Sequence, residues 1–175
     1  RALLAFQWTW PGKKTLFMGG EIGQWKEWDY DNQLDWELLN FPLHSGLQQM
    51  VADLNHLYKN HHAWSKYDHQ RDKFRWIDCN DKDGQTLSYL RFGERPEETI
   101  LVACNFSDQL RHRDWGSPHS GEWRVIFDSD SPQYGGEGAA GATDFYTQPH
   151  HKDSFENALS FSVSRWSVRI LILNS

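Results

Sequence analysis

The chain contains 175 residues with a mass of 20.6 kDa, enough for one ordinary domain or one small domain and part of another. Its 18 basic and 24 acidic residues give a net charge of −6, which argues against nucleic acid or an anionic membrane as a partner. Aromatic residues make up 15% of the chain and include ten tryptophans, which argues against disorder. Some of these indole rings are expected in the core, and others could stack on the apolar faces of sugars.

The sequence has no run of about 18 apolar residues of the kind that crosses a membrane, and we find no signal peptide. The two cysteines, Cys79 and Cys104, fall on predicted strands. This position favours buried thiols over a disulfide, and therefore a reducing, cytoplasmic compartment. Because the chain begins at Arg1 rather than at methionine, we expect it to be part of a longer protein.

The first sixty residues have the pattern of an α/β unit. Apolar residues before the Pro11-Gly12 pair predict a helix that ends there, and Thr15–Met18 predicts a short strand buried on both faces. A polar loop rich in tryptophan follows from residue 21 to residue 33, where α/β enzymes often place binding groups. A second helix begins near Pro42 and carries one apolar stripe, formed by Leu47, Met50, Val51, Leu54, Leu57 and Tyr58.

From about residue 67 the hydrophobic period changes to two, which indicates strands. Segments 74–78 and 87–91 predict a hairpin, and residues 99–106 predict a central strand. Further strands are predicted near Trp123 and over 159–163, and the last one has Val168, Ile170 and Ile172 on its inward face. We expect Trp76 and Trp123 to serve folding, with Trp123, Val125 and Phe127 on one inward face. Short strands without helices between them predict an antiparallel β-sandwich.

Three motifs could indicate a cofactor or a metal site, but the residues around each motif do not fit such a site. The G-x-G-x-x-G pattern at 136–141 has no strand directly before it and no amphipathic helix after it, which predicts a surface loop. The segment 81–84 resembles part of a calcium loop, but the key first and twelfth carboxylates are absent. The histidine pairs at 61–62 and 150–151 are sequence neighbours, which favours surface positions over a metal site. The sequence therefore predicts no cofactor and no metal.

Carboxylates are the remaining candidates for chemistry. Glu21 follows the predicted strand at 15–18, a position that often carries catalytic or binding groups in an α/β barrel. Asp29, Asp31 and Asp35 lie on the loop that follows, where a solvated polar surface is the simpler interpretation. The residues alone predict a loop on the ligand side of an α/β domain, followed by a β-sandwich.

Several stretches resemble one known family. PGKKTLFMGGEIGQWKEWDYDNQLDWELL closely resembles the end of the catalytic barrel of bacterial glycogen branching enzymes, within the α-amylase superfamily. FPLHSGLQQMVADLNHLY resembles the last barrel helix of that family. FRWIDCNDKDGQTLSYLRF, ILVACNFS and FDSDSPQYGG resemble strands and loops of its C-terminal β-domain. The motif GGEIGQWKEW is the most specific of these features.

The resemblance implies a mainly β fold, with a C-terminal antiparallel β-sandwich preceded by the last strand and helices of a truncated (β/α)8 barrel. It implies two domains, at 1–66 and 67–175. The family cuts an α-1,4-glucan and transfers the segment to a 6-hydroxyl, with catalytic carboxylates on earlier barrel strands. The resemblance therefore implies no catalytic residue in this chain, and it gives Glu21, Trp25 and Trp28 a substrate-binding role. The implied partners are an α-glucan and the N-terminal part of the barrel.

Three alternatives remain open at this stage. The chain could belong to another superfamily enzyme, such as a trehalose-releasing hydrolase or a debranching enzyme. It could instead be a carbohydrate-binding β-sandwich module without catalysis, for which the sandwich and the tryptophans suffice. In the third alternative, which we favour for the role of the β-sandwich, this half of the chain is a structural support for the barrel.

Overall fold

The computed structural model describes residues 1–174, which form two antiparallel β-sheets and three α-helices. The elements are α1 Ala2–Thr9, α2 Pro42–Asn60, α3 His62–Ser65, β1 Phe74–Asp81, β2 Thr86–Arg91, β3 Ile100–Asn105, β4 Arg111–Ser117, β5 Glu122–Asp128, β6 Asp144–Tyr146, β7 Gln148–Lys152, β8 Phe155–Val163 and β9 Ser167–Leu173. One sheet has six strands in the order β1-β2-β3-β9-β5-β6, and the other has three in the order β4-β8-β7. The predicted mainly β fold class is confirmed.

The two sheets pack face to face around one apolar core. Strand β8 supplies Leu159, Phe161 and Val163, which alternate with polar residues as the sequence predicted. The indole ring of Trp115 stacks on Phe161 with a centroid distance of 5.3 Å. This core confirms the predicted β-sandwich.

The three helices cover the other face of the six-stranded sheet. Met50 and Leu54, from the predicted stripe of α2, pack in one cluster with Tyr89 and Val102 of the sheet, and Trp8 of α1 joins them. Because both faces are covered, all six residues of β3 are buried. Pro42 occupies the first turn of α2, as predicted. None of the helices in residues 1–174 combines the length and apolar character that a membrane crossing requires.

A buried ion pair connects these layers. Arg91 of β2 donates a hydrogen bond to Asp68 at 2.9 Å and another to the carbonyl oxygen of Thr9 at the end of α1, also at 2.9 Å. Asp68 also accepts a hydrogen bond from the Tyr58 hydroxyl at 3.2 Å and lies 3.4 Å from the Lys14 ammonium. Burial lowers the pKa of Lys14, although the Asp68 carboxylate opposes this effect.

The predicted strand at 15–18 is not formed. This segment is irregular, and the side chains of Leu16, Phe17 and Met18 are exposed. Within residues 1–174 no strand lies beside it, so its backbone groups lack the ladder partners that a β-strand requires. The apolar composition of this segment is typical of a buried strand. A β-strand also needs a neighbouring strand to pair with, and the segment has none in the described part of the chain.

The sheets correct three further expectations. Trp123 and Phe127 lie on opposite faces of β5, because a register shift between Val125 and Phe127 reverses the side-chain alternation. Trp76 is 36% exposed and Cys79 is exposed, because β1 is an edge strand. Cys104 is buried as expected, and burial raises the pKa of its thiol.

We predict that Arg91→Met lowers the free energy of unfolding by about 3 kcal/mol, because it leaves the buried Asp68 carboxylate without its closest cation. Arg95→Met is the matched control, since the exposed Arg95 side chain pairs only at the surface with Glu97 and Glu98, and it should cost less than about 1 kcal/mol. Chemical denaturation of the two variants measures the difference. Equal destabilisation would contradict the assigned role of the buried pair.

Candidate functional site

The candidate site is the aromatic loop, which we define as residues 19–36. It begins with a short 3-10 turn at Gly20–Ile22, flanked by Gly19 and Gly23 in the left-handed region at φ +82° and +62°. The turn carries Glu21 in a half-exposed position. Trp25 and Trp28 follow with 79% and 53% of their surface exposed, as the position on a polar loop predicted.

The aromatic loop is held against α2 by a side chain that the sequence analysis did not single out. The Nδ1–H of His44 donates a hydrogen bond to the carbonyl oxygen of Ile22 at 2.7 Å. The ring of Trp25 packs edge-on against the same imidazole, with a centroid distance of 5.3 Å. His44 therefore orients the loop and supports Trp25 from beneath. The sequence feature that could have identified His44 is its position in the first turn of α2, shortly before the apolar stripe begins.

Four polar side chains of the aromatic loop, besides that of Asn32, form hydrogen bonds or ion pairs within the loop. The side-chain oxygen of Gln24 accepts a hydrogen bond from the backbone N–H of Asp35 at 3.1 Å, and Lys26 pairs with the Asp35 carboxylate at 2.9 Å. Asp29 accepts hydrogen bonds from the Asn32 side chain at 2.7 Å and from the backbone N–H of Asp31 at 2.9 Å, which lowers its pKa. Asp29 and Asp35 therefore fix the loop geometry rather than forming a catalytic pair.

Trp28 belongs to an exposed aromatic group that also contains Tyr30 of the same loop and Phe17, which precedes the loop. Its ring lies 5.8 Å from Phe17 and 6.0 Å from Tyr30, measured between centroids. Phe17 and Tyr30 are themselves exposed. Neighbouring aromatic rings that remain open to solvent form a surface suited to the apolar faces of sugar rings.

A second aromatic surface lies at the edge of the six-stranded sheet. Trp10 and Trp76 lie 5.5 Å apart between ring centroids, and Phe74 lies 5.5 Å and 5.3 Å from them. They line an open cleft of about 380 Å³ that also contains the polar residues His69 and Arg71. We call this cleft, lined by Trp10, His69, Arg71, Phe74 and Trp76, the edge cleft. Sequence reasoning missed it because its tryptophans are 66 positions apart and Trp76 was expected in the core.

The structure agrees with the rejection of the cofactor and metal motifs. The glycine-rich segment follows a 3-10 turn at Pro132–Tyr134 and leads into β6, so no helix N-terminus is presented to a phosphate group. Asp81 holds the β1–β2 hairpin by accepting hydrogen bonds from the Thr86 hydroxyl and the backbone N–H of Gly84. Among the residues that the structure describes, no group of three His, Cys, Asp or Glu side chains could hold a metal ion.

These features define the class of protein. The two packed antiparallel sheets are those of an all-β domain of the α-amylase type, and residues 76–174 match the family model "Alpha amylase, C-terminal all-beta domain". The match covers more than half of the chain, which belongs to this family.

The particular relatives are branching enzymes. The chain is 47% identical over 137 residues to a 1,4-alpha-glucan branching enzyme of Rhodospirillum rubrum, covering 78% of this chain and 18% of that protein. It is 44% identical over 140 residues to that of Aquifex aeolicus, with 79% and 22% covered. It is 41% identical over 172 residues to that of Prochlorococcus marinus strain AS9601, with 97% and 23% covered. The chain therefore spans about a fifth of the length of these relatives.

A solved structure shows the same fold at low sequence identity. The debranching enzyme of Nostoc punctiforme superposes with a TM-score of 0.66 at 13% identity, covering 97% of this chain and 30% of that one. At this identity the likeness establishes the fold alone.

We predict that His44→Ala mobilises the aromatic loop without unfolding the chain, because the loop loses its hydrogen bond at Ile22 and the support under Trp25. Amide hydrogen exchange over residues 19–25 should become faster, while the protection of β3 and β9 is unchanged. His56→Ala is the control, since His56 is exposed on the same helix. Unchanged exchange over residues 19–25 in His44→Ala would contradict this role.

Proposed function

We propose that this chain is the C-terminal part of a 1,4-α-glucan branching enzyme that cuts an α-1,4-glucan and transfers the segment to a 6-hydroxyl. The observation that carries the proposal is the 41% identity over 172 residues to a branching enzyme, which includes both the aromatic loop and the β-sandwich. The alternatives of a trehalose-releasing hydrolase or a debranching enzyme receive no comparable support, since the solved debranching enzyme is only 13% identical.

Within that enzyme, the aromatic loop contacts the glucan. Trp25 and Trp28 present exposed rings on which pyranose rings can stack, and His44 packs against the ring of Trp25. Glu21 lies four residues before Trp25 on the 3-10 turn, where its carboxylate can accept hydrogen bonds from sugar hydroxyls. A loop that is ordered before binding loses less entropy when the glucan binds.

The cleavage chemistry belongs to carboxylates outside this chain. A retaining glycosyl transfer needs a nucleophilic carboxylate and a second carboxyl group about 5–5.5 Å away, both held on rigid elements. Asp29 and Asp35 are on the aromatic loop and are already paired within it. We propose that residues 1–66 complete a catalytic barrel supplied by the rest of the enzyme, that residues 67–175 form the sandwich domain, and that the enzyme is cytoplasmic.

We predict that Trp25→Ala and Trp28→Ala in the full-length enzyme lower the branching rate at least about threefold and leave the thermal midpoint within about 2 °C, because both rings are exposed. Trp123→Ala is the matched control. Loss of this fully buried ring should lower the free energy of unfolding by about 3–5 kcal/mol, while the branching rate per folded molecule stays the same. Iodine absorbance and calorimetry measure the two quantities. Early melting of Trp28→Ala at an unchanged rate would refute its glucan contact.

We also predict that the 175-residue chain alone forms no branches when it is incubated with amylose, because in our proposal the rest of the enzyme supplies the two carboxylates that the reaction requires. Reducing-end release and α-1,6 linkages measured by NMR should stay at background. Branch formation by the chain alone would show that its own carboxylates perform the chemistry.

A carbohydrate-binding module is the second candidate function, and the edge cleft is the observation that favours it. Trp10 and Trp76 are partly exposed there beside polar side chains, an arrangement that suits a sugar without any catalytic group. If glucan affinity is lost in Trp76→Ala while branching by the full-length enzyme is unaffected, this candidate is the better description of the sandwich. If the chain has no affinity for glucan, the sandwich is a structural support.

A further inference from the structure

Trp166 occupies an unusual position in the turn between β8 and β9. Its backbone lies in the left-handed region at φ +48°, which is unfavourable for a bulky residue and which glycine or asparagine adopts more readily. Its ring is nevertheless 55% exposed, so packing in the core does not account for the choice of tryptophan. A strained backbone that presents a large ring to solvent suggests a functional constraint at this residue.

The turn that carries Trp166 is held by several hydrogen bonds. The backbone N–H of Trp166 donates to the carbonyl oxygen of Ser107 at 3.1 Å. The buried Asn105 side chain donates to the carbonyl oxygens of Val163 and Ser164, both at 3.0 Å. The surroundings therefore determine the backbone conformation of the turn before any ligand binds.

The residue beside Trp166 connects the turn to the glycine-rich loop, residues 135–141. Arg165 pairs with Glu137 of that loop at 2.6 Å, and both side chains are exposed. The loop is held by the carboxylate of Asp130, which accepts hydrogen bonds from the backbone N–H groups of Glu137 and Ala139 at 3.1 Å and 3.2 Å. Gly136 has to be glycine, because a Cβ atom there would lie 2.0 Å from the carbonyl oxygen of Asp130.

We propose that Trp166, Arg165 and Glu137 form a separate α-glucan-binding site, which we call the turn site. The indole face stacks on one pyranose ring, while the guanidinium and the carboxylate exchange hydrogen bonds with its hydroxyl groups. The choice of an α-glucan as ligand rests on the proposed function, since the branching-enzyme relatives name that polymer. The turn site is built from β8, β9 and the glycine-rich loop, whereas the aromatic loop and the edge cleft use residues 10–76.

The direct test is a titration of the 175-residue chain with maltoheptaose, followed by the indole N–H signals in a nitrogen-15 correlation spectrum. Trp166→Phe removes one of the ten indole signals and so identifies the Trp166 signal. This signal should shift and saturate during the titration of the unmodified chain. A Trp166 signal that does not move up to millimolar maltoheptaose, with or without shifts at other indoles, overturns the turn site.

Two variants separate binding from folding. Glu137→Gln keeps the Trp166 reporter and should raise the dissociation constant read from its signal at least about threefold, because the paired carboxylate is lost. Trp166→Asn fits the left-handed backbone, so it should melt at the same or a higher temperature and still reduce retardation in a glycogen-containing gel. Early melting of Trp166→Asn with unchanged retardation would show that the ring serves packing.

The turn site and the proposed function can fail independently. If the Trp166 signal shifts with maltoheptaose but the full-length protein forms no branches, the site stands and branching is refuted. If the full-length protein branches amylose but the Trp166 signal does not move, branching stands and the site is refuted.

Discussion

The central strand β3 has no side chain that reaches solvent, and the rest of the structure depends on that constraint. Each face of the sheet at β3 needs its own apolar cover, because exposed apolar surface costs about 25 cal/mol per Å². The three-stranded sheet supplies one cover and the three helices supply the other. The helices and the six-stranded sheet therefore share a core.

The packing of the helices on the six-stranded sheet also determines where the exposed aromatic surfaces lie. Helix α1 packs on the helix-covered face and ends beside the sheet edge, which brings Trp10 to Trp76 on the edge strand. Helix α2 packs beside it and carries His44 in its first turn, so the aromatic loop is fixed to an element whose position the core determines. Trp10, Trp76 and Trp25 thus lie beside elements whose positions the core determines, which is the arrangement that a binding surface needs.

A buried arginine organises the opposite side of the sandwich. Arg169 of β9 donates hydrogen bonds to the Asp128 carboxylate at 2.7 Å and to the carbonyl oxygen of Ser162 on β8 at 3.0 Å. It also donates to the carbonyl oxygens of Gly141 and Ala142, at the end of the glycine-rich loop. This one side chain therefore joins both sheets and the end of the glycine-rich loop. A buried charge of this kind is tolerated because each of the three guanidinium nitrogens has a hydrogen-bond partner.

The sequence by itself determined the elements whose signals are local. The period of 3.6 over α2, the period of two over β8 and the turn residues between β1 and β2 each arise from neighbouring residues, and the structure confirms them. The exposure of Trp25 and Trp28 was predictable for the same reason, since a polar loop has no core to bury them.

Only the tertiary structure decided the features that depend on distant partners. The segment at 15–18 has the composition of a strand but lacks a neighbour, Phe127 changes faces at a register shift, and Trp76 is exposed because β1 is an edge. The contacts of His44 with Ile22, and of Trp10 with Trp76, join positions 22 and 66 residues apart. Local patterns carry no information about such pairs, because the distances between them are set by how the helices and sheets pack.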